Sequence, residues 1–378
     1  MSRHGTNAGT WPITGRMVWL GPDGVIHDFS ADQLNTRVGQ IASGLYAAGV
    51  RSGDRVVGLM GRRPAALATA LATMWLGAVH VPMLARWAEE VLAVRYAASS
   101  ATYVVVDQAH RDLADILRPR PRVLVVSGEG RRGDARIDDL RLGKSTPRPA
   151  EVEADDVASL VYPFDGGGPD EAGEIRHRFV RTLQPFVDQA IAAEPGDLVL
   201  STAHPSGTYG MFTTGIAPLV HGVSRAMLFT EFSVRSWLDG LAATGATHLV
   251  AAADGIERLA AAGPDLPERL RVVISTGRPM ASSAVTWLQD AGAEVRQVWA
   301  LEDAGPVLMN GRPLAGFTVQ IADPSGATVA PGTPGALAVR DNGDLLVNAP
   351  TDAAGWRVST QPAIEENDGR LRLLGTPR

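Results

Sequence analysis

Along the chain, apolar and polar positions alternate between two periods. From Phe29 to Val50, "FSADQLNTRVGQIASGLYAAGV", apolar residues return at helical spacing behind a Ser30 cap and stop at glycine, which predicts a helix. "DRVVGLM" follows as a short continuous apolar run, the mark of a strand buried on both faces. "PAALATALATMWLGAVHVPM" reads as helix, glycine, strand, and "YVVVDQ" and "RVLVVSG" add two more buried strands. A polar stretch rich in arginine and proline, from about residue 130 to 156, reads as a linker. The alternation resumes through "DLVLSTA", "RAMLFT", "THLVAA" and "RVVISTG". Beyond about residue 312 it gives way to short strands split by turn signals, "FTVQIADPSGATV", "GALAVRDNGDLLVNA", "GWRVST" and "GRLRLLG". The expectation is an α/β protein with parallel sheets covered by helices. Its three consecutive segments are residues 1–155, 156–311 and a small β-rich subdomain at 312–378.

Composition narrows the function. With 45% hydrophobic residues in 378, the chain can bury a large core. A net charge of −6 argues against nucleic acid as a partner, because that role needs a basic face. The absence of cysteine removes disulfides, thiolate metal sites and a thiol nucleophile. Neither an apolar signal core nor a stretch of about 20 apolar residues is visible, so no membrane partner and a cytoplasmic location are expected. Among 35 basic residues only Lys144 is a lysine, and it lies in the polar stretch. Lysine chemistry is therefore not expected, although a preference for arginine is first of all a habit of GC-rich genomes.

Several long segments, in order, resemble the adenylate-forming superfamily of acyl- and aryl-CoA ligases, luciferases and adenylation domains. The helix leading to "GDRV" and "GAVHVP" is similar to the family's opening block, "GRPLAGFTVQIADPSGATVAPGTPGALAVR" to its β-rich signature, and "GWRVST…ENDGRLRLLG" to its closing strands. The resemblance implies a layered αβαβα large domain and chemistry in which ATP and a carboxylate give an acyl-adenylate that a thiol then captures. It also implies that the chain stops about where a small C-terminal catalytic domain begins.

The nucleotide-facing motifs depart from that pattern. The phosphate loop, "YPFDGGGPDEAG", keeps Tyr162, Gly166, Gly167 and Gly168 but carries Asp170 and Glu171 where a lysine belongs. Such a reversal turns attraction into repulsion of about 4 kcal/mol per charge pair at 4 Å. In "WALED" the resemblance places Trp299, Glu302 and Asp303 where an aromatic residue, a threonine and a metal-binding glutamate are usual. "STGRP" puts Arg278 after Gly277 at the adenine-binding segment, where the guanidinium is expected to fill purine volume. Gln361 replaces the aspartate that holds the ribose hydroxyls. No cofactor is expected, neither ATP nor Mg²⁺, and no metal site.

The acyl side is less altered. His204, in "STAHPSGTYGMF", is the candidate for proton transfer, since imidazole titrates near neutrality; the alternative is a remnant that caps the next helix. His177 is a weaker candidate, more readily explained as a solvated helix residue. Asp165, Glu302 and Asp303 are expected to converge as acid or base groups, with neutralisation by Arg278, Arg176 or Arg178 as the structural alternative. Tyr209, Phe212 and Trp299 are candidate walls of an acyl pocket, each also explicable as core. Three readings follow: an enzyme acting on an acyl or aryl group without ATP, by cyclisation, dehydration, isomerisation or hydrolysis; a non-catalytic scaffold for a ligase, a carrier protein or a second copy of itself; and a ligase completed in trans. The expected partner is a small acyl or aryl molecule or its thioester, and a homodimer stays open.

Overall fold

The computed structural model describes residues 11–164, 168, 171–301, 305–341 and 355–374. The chain divides into two compact units. The first comprises the residues up to Arg178 together with His204–Thr230; the second comprises Phe179–Ala203 and the residues from Glu231 onward. This division differs from three consecutive segments, because strand Val157–Val161 lies parallel beside Val79–Met83 and extends the first sheet past residue 155.

In the first unit a seven-stranded sheet runs in the order Ala135–Arg136, Arg122–Ser127, Tyr103–Asp107, Arg55–Leu59, Val79–Met83, Val157–Val161, Gly173–Arg176. All neighbours are parallel except the final hairpin. The central strand is apolar throughout because both its faces are covered: Val56, Val57 and Leu59 are fully buried. Gly58 interrupts the run for a steric reason, since a Cβ there would sit 2.6 Å from Cε1 of His80 on the neighbouring strand. Helix Ala31–Ala47 begins where Ser30 and Gln33 cap each other reciprocally, and buries Leu34, Val38, Ile41 and Leu45 along one stripe. Full burial of each such side chain contributes about 1.5–3 kcal/mol. Helix Pro64–Trp75 starts with proline at its first position, where the missing N–H costs nothing. Three further strands belong to this unit: Arg225–Leu228 runs parallel to Met17–Leu20, which pairs antiparallel with Ile26–Phe29.

The stretch read as a linker is packed structure. It contains strand Ala135–Arg136 and helix Ile137–Leu140, and Ile137 is fully buried. The chain then crosses both long helices: the Trp75 indole N–H donates to the Pro147 carbonyl at 2.9 Å, the Ala150 N–H to Trp75 at 2.9 Å, and Thr146 packs on Gly39.

In the second unit the strands Val199–Ser201, His248–Ala252, Val272–Thr276 and Glu294–Leu301 are parallel neighbours. Gly305–Met309 and Arg312–Pro313 continue the sheet antiparallel. A separate antiparallel sheet, Phe317–Ala322, Gly335–Asp341, Arg357–Glu365 and Leu371–Leu373, forms the small β-rich part expected near the C-terminus. The mixed α/β class with parallel sheets and a small antiparallel sheet is thus as read from the sequence.

Candidate functional site

The first unit gathers its chemistry just past the carboxyl ends of its parallel strands. Arg62 follows strand Arg55–Leu59, Arg86 follows Val79–Met83 and His110 follows Tyr103–Asp107. In open α/β sheets this edge is where ligands bind. All three side chains bear electrostatically on His204. Asp107, fully buried, fixes the frame: it pairs with Arg63 Nε at 2.8 Å and His110 Nδ1 at 2.6 Å, and accepts the backbone N–H of His110 at 3.0 Å and of Gly61 at 3.3 Å. Burial alone would push its carboxyl up, but these partners hold it below the usual range.

His204 is buried, at 8% exposure. Its Nδ1 accepts the Ser206 backbone N–H at 3.1 Å, so the neutral ring carries its proton on Nε2. Ser206 Oγ donates in turn to the Met83 carbonyl at 3.1 Å, tying the segment to the end of a sheet strand. Burial, aided by Arg62, Arg86 and His110, pushes the imidazole down to about 3. The expectation of a base poised near neutrality is therefore corrected: at pH 7 His204 is a neutral N–H donor. Phe164 meets His204 edge-on, with ring centroids 6.3 Å apart, and lies over Gly207, where a Cβ would approach its ring to 2.7 Å.

Tyr209–Ile216 is wound as a π-helix, a form concentrated at functional positions. Two glycines permit it: a Cβ on Gly215 would lie 2.5 Å from the Gly210 carbonyl oxygen. Thr214 Oγ1 donates to the Tyr209 carbonyl at 3.1 Å, while Phe212 is fully buried core. Tyr162 is also core. Only 2% exposed, it donates its hydroxyl to the Arg95 carbonyl at 3.1 Å, within a cluster of strand side chains. In the phosphate-loop region, the Glu171 N–H turns back to the Gly168 carbonyl at 3.2 Å and its carboxylate lies beside Gly168, with Oε1 3.7 Å from where a Cβ would stand. Asp165, Gly166, Gly167, Asp170, Glu302 and Asp303 lie outside the described residues. His177 is not a solvated helix residue: it follows strand Gly173–Arg176 and is 1% exposed. Arg176 reaches Glu174 at 3.2 Å and Arg178 reaches Asp155 at 2.8 Å.

The second unit holds a cavity of about 640 Å³, within the range of small-molecule sites. Gly277, Arg278 and Trp299 line it with Val285, Val298 and Leu308, alongside polar Gln297, Asn310 and Arg312. Arg278 does not fill it. The guanidinium is half exposed and turns to Asp254 at 2.9 Å and Glu257 at 2.8 Å. Gln361 directs its amide N–H bonds to the backbone carbonyls of Pro362 at 3.0 Å and Leu374 at 2.8 Å, which leaves no charge for a ribose.

This arrangement of parallel sheets and small β-rich part is that of known proteins. A family profile described as AMP-binding enzyme matches residues 16–163 and 174–345. The chain belongs to the AMP-binding enzyme family. It is 26% identical over 371 residues to a feruloyl-CoA synthase from Amycolatopsis sp, covering 92% of this chain and 71% of that protein. To a 3-hydroxybenzoate-CoA ligase from Aromatoleum sp. (strain CIB) it is 26% identical over 373 residues, covering 89% and 67%. Among solved structures, a Brucella canis acyl-CoA synthetase superposes with a TM-score of 0.87 at 23% identity, covering 99% of this chain and 73% of the other. A benzoate CoA ligase from Burkholderia xenovorans LB400 superposes at 0.82 with 17% identity, covering 96% and 77%. At those identities the two structures speak for the fold alone.

The sequence reading missed Arg62, Arg86 and His110. A usable signal was present: each is a basic residue within three positions of the end of an apolar strand run.

Proposed function

We propose that this chain binds an acyl or aryl group, as free carboxylate or thioester, without activating it on ATP. The observation that carries the reading is the cavity beside Gly277 and Trp299, lined by apolar side chains together with polar and charged ones, and not filled by Arg278, whose guanidinium turns to Asp254 and Glu257. Support on the nucleotide side comes from Glu171, an anion in the phosphate-loop region, and from Gln361, whose amide is spent on backbone. Neither suits a polyanion: a carboxylate 4 Å from a phosphate charge costs about 4 kcal/mol at an effective dielectric of 20. The relatives named for feruloyl-CoA and 3-hydroxybenzoate-CoA synthesis make aryl acids the first ligands to try.

The test is calorimetry with ferulate, 3-hydroxybenzoate and their CoA thioesters, with and without Mg-ATP, alongside pyrophosphate exchange. Acid or thioester is expected to bind, Trp299→Ala to weaken that binding at least tenfold, and exchange to stay at background. Exchange that depends on an aryl acid would refute the reading.

A second reading is favoured by His204 specifically. A neutral imidazole donating from Nε2 beside Arg62 and Arg86 suits stabilisation of an oxyanion, so an ATP-independent step on a thioester carbonyl is consistent with it. Turnover of a thioester that His204→Ala abolishes would support this step, and equal rates in both proteins would remove it.

A further inference from the structure

Arg225 opens the strand Arg225–Leu228 in the first unit and is 1% exposed. Its Nε and Nη1 atoms reach no hydrogen-bond partner among the described residues. Its backbone is fully engaged: the N–H donates to Arg16 and the residue pairs in register with Met17. Met17, its register partner, and Met227, two residues along the strand, are packed to 1% and 3% exposure, and each offers at most a weak thioether acceptor. Among the described residues, the charged group that bears on it is Arg62, of like sign. Burial with that repulsion lowers the guanidinium only to about 10, so it stays protonated at neutral pH. Buried charges in folded proteins are paired, and buried N–H donors are satisfied. The Arg63–Asp107 ion pair in the same unit shows the counter-charge that a buried guanidinium ordinarily finds.

We propose that Arg225 holds a small monovalent anion inside the first unit. Monovalence follows from the single positive charge of the Arg225 guanidinium. Small size follows from the close packing of Met17 and Met227. A water molecule would satisfy the N–H donors and leave the charge. The fitting chemistry is a compact acceptor bearing one negative charge, either a halide or the smallest carboxylates.

The experiment follows thermal unfolding of the full chain at pH 7.5 and constant ionic strength. Gluconate salts are replaced stepwise by chloride, bromide, formate or acetate, for the wild type, Arg225→Met and Arg225→Lys. Binding to the folded state raises Tm saturably with ligand. The wild type is expected to show that rise with at least one of the four anions, and Arg225→Met to lose it. A response to chloride and bromide assigns a halide; a response to formate or acetate alone assigns a carboxylate. Bromide-soaked wild-type crystals should give an anomalous peak in contact with the Arg225 guanidinium in the halide case, a readout that needs no variant to fold. Arg225→Lys, which keeps the charge on a shorter reach, is expected to retain a weakened response. The same anion dependence in wild type and Arg225→Met, or no saturable response to any of the four anions in the wild type, overturns the proposal.

Discussion

Two buried histidines should make the protein sensitive to mild acid, and the size of the effect follows from their surroundings. Burial pushes His80, fully enclosed beneath Gly58, down to about 3, and burial with neighbouring cations does the same to His204. The unfolded chain titrates both at the ordinary value of 6.5. The sign is set by proton binding: below 6.5 the unfolded chain takes up protons that the folded one refuses. Stability is therefore complete above 6.5 and is lost as pH falls toward 3. At pH 5 each histidine is 1.5 units below its unfolded value, and at about 1.36 kcal/mol per unit each costs about 2 kcal/mol, or about 4 kcal/mol for the pair. That is a large share of the roughly 5–15 kcal/mol that holds a domain folded. His248, also lowered by burial, acts in the same direction. Urea unfolding at pH 7.5 and pH 5.0, on wild type and His204→Gln, measures the term directly. Glutamine keeps an acceptor for the Ser206 N–H, so the variant should lose about half of the pH dependence and little of its stability at pH 7.5. A wild-type difference below 1 kcal/mol between the two pH values would refute the argument. It would also return His204 to the range of a working general base.

Two further perturbations test the frame around this site. Asp107→Asn should cost about 3–5 kcal/mol in urea unfolding, since it leaves Arg63 without its buried counter-charge and disturbs the contact with His110 Nδ1. Because the Asp107 carboxyl is lowered, its contribution fades only below its ordinary value of 3.8, outside the histidine window, and a loss under 1 kcal/mol at pH 7.5 would discard the role assigned to it. Gly215→Ala should lower Tm through a clash worth about 1–3 kcal/mol, because the added carbon meets a backbone oxygen at 2.5 Å; an unchanged Tm would show that the π-wound turn relaxes freely.

The strands and the two long helices of the first unit were legible because their signals are local. Continuous apolar runs such as "YVVVDQ", the Ser30 cap and the glycine after each helix are properties of adjacent residues. The site was legible only as residue types. That His204 is neutral depends on burial and on Arg62, Arg86 and His110, which lie up to 142 positions away in sequence and meet it only in the fold. Tyr162 reads as a loop aromatic, and its engagement with Arg95 comes from a helix some 67 positions earlier. Arg278 illustrates the same limit: its character as a cation was plain, but Asp254 and Glu257, toward which it turns, sit on the helix Ala253–Ala262, 24 and 21 positions earlier. The segment around residues 130 to 156 was misread because its ties use backbone carbonyls, Pro147 among them, and a carbonyl leaves no mark on composition.

That segment has a practical consequence for anyone cutting or fusing this chain. Its proline and arginine content, with Lys144 exposed nearby, invites a choice of junction there, and trypsin would favour the same bonds. Yet the residues from Ser145 to Ala150 act as a belt over the backs of both long helices, holding the Trp75 indole from one side and the Trp75 carbonyl from the other. Severing the belt would uncover apolar helix surface rather than separate two bodies, so insertion points are better sought at tips such as Asp23–Gly24, which carry no such fastening.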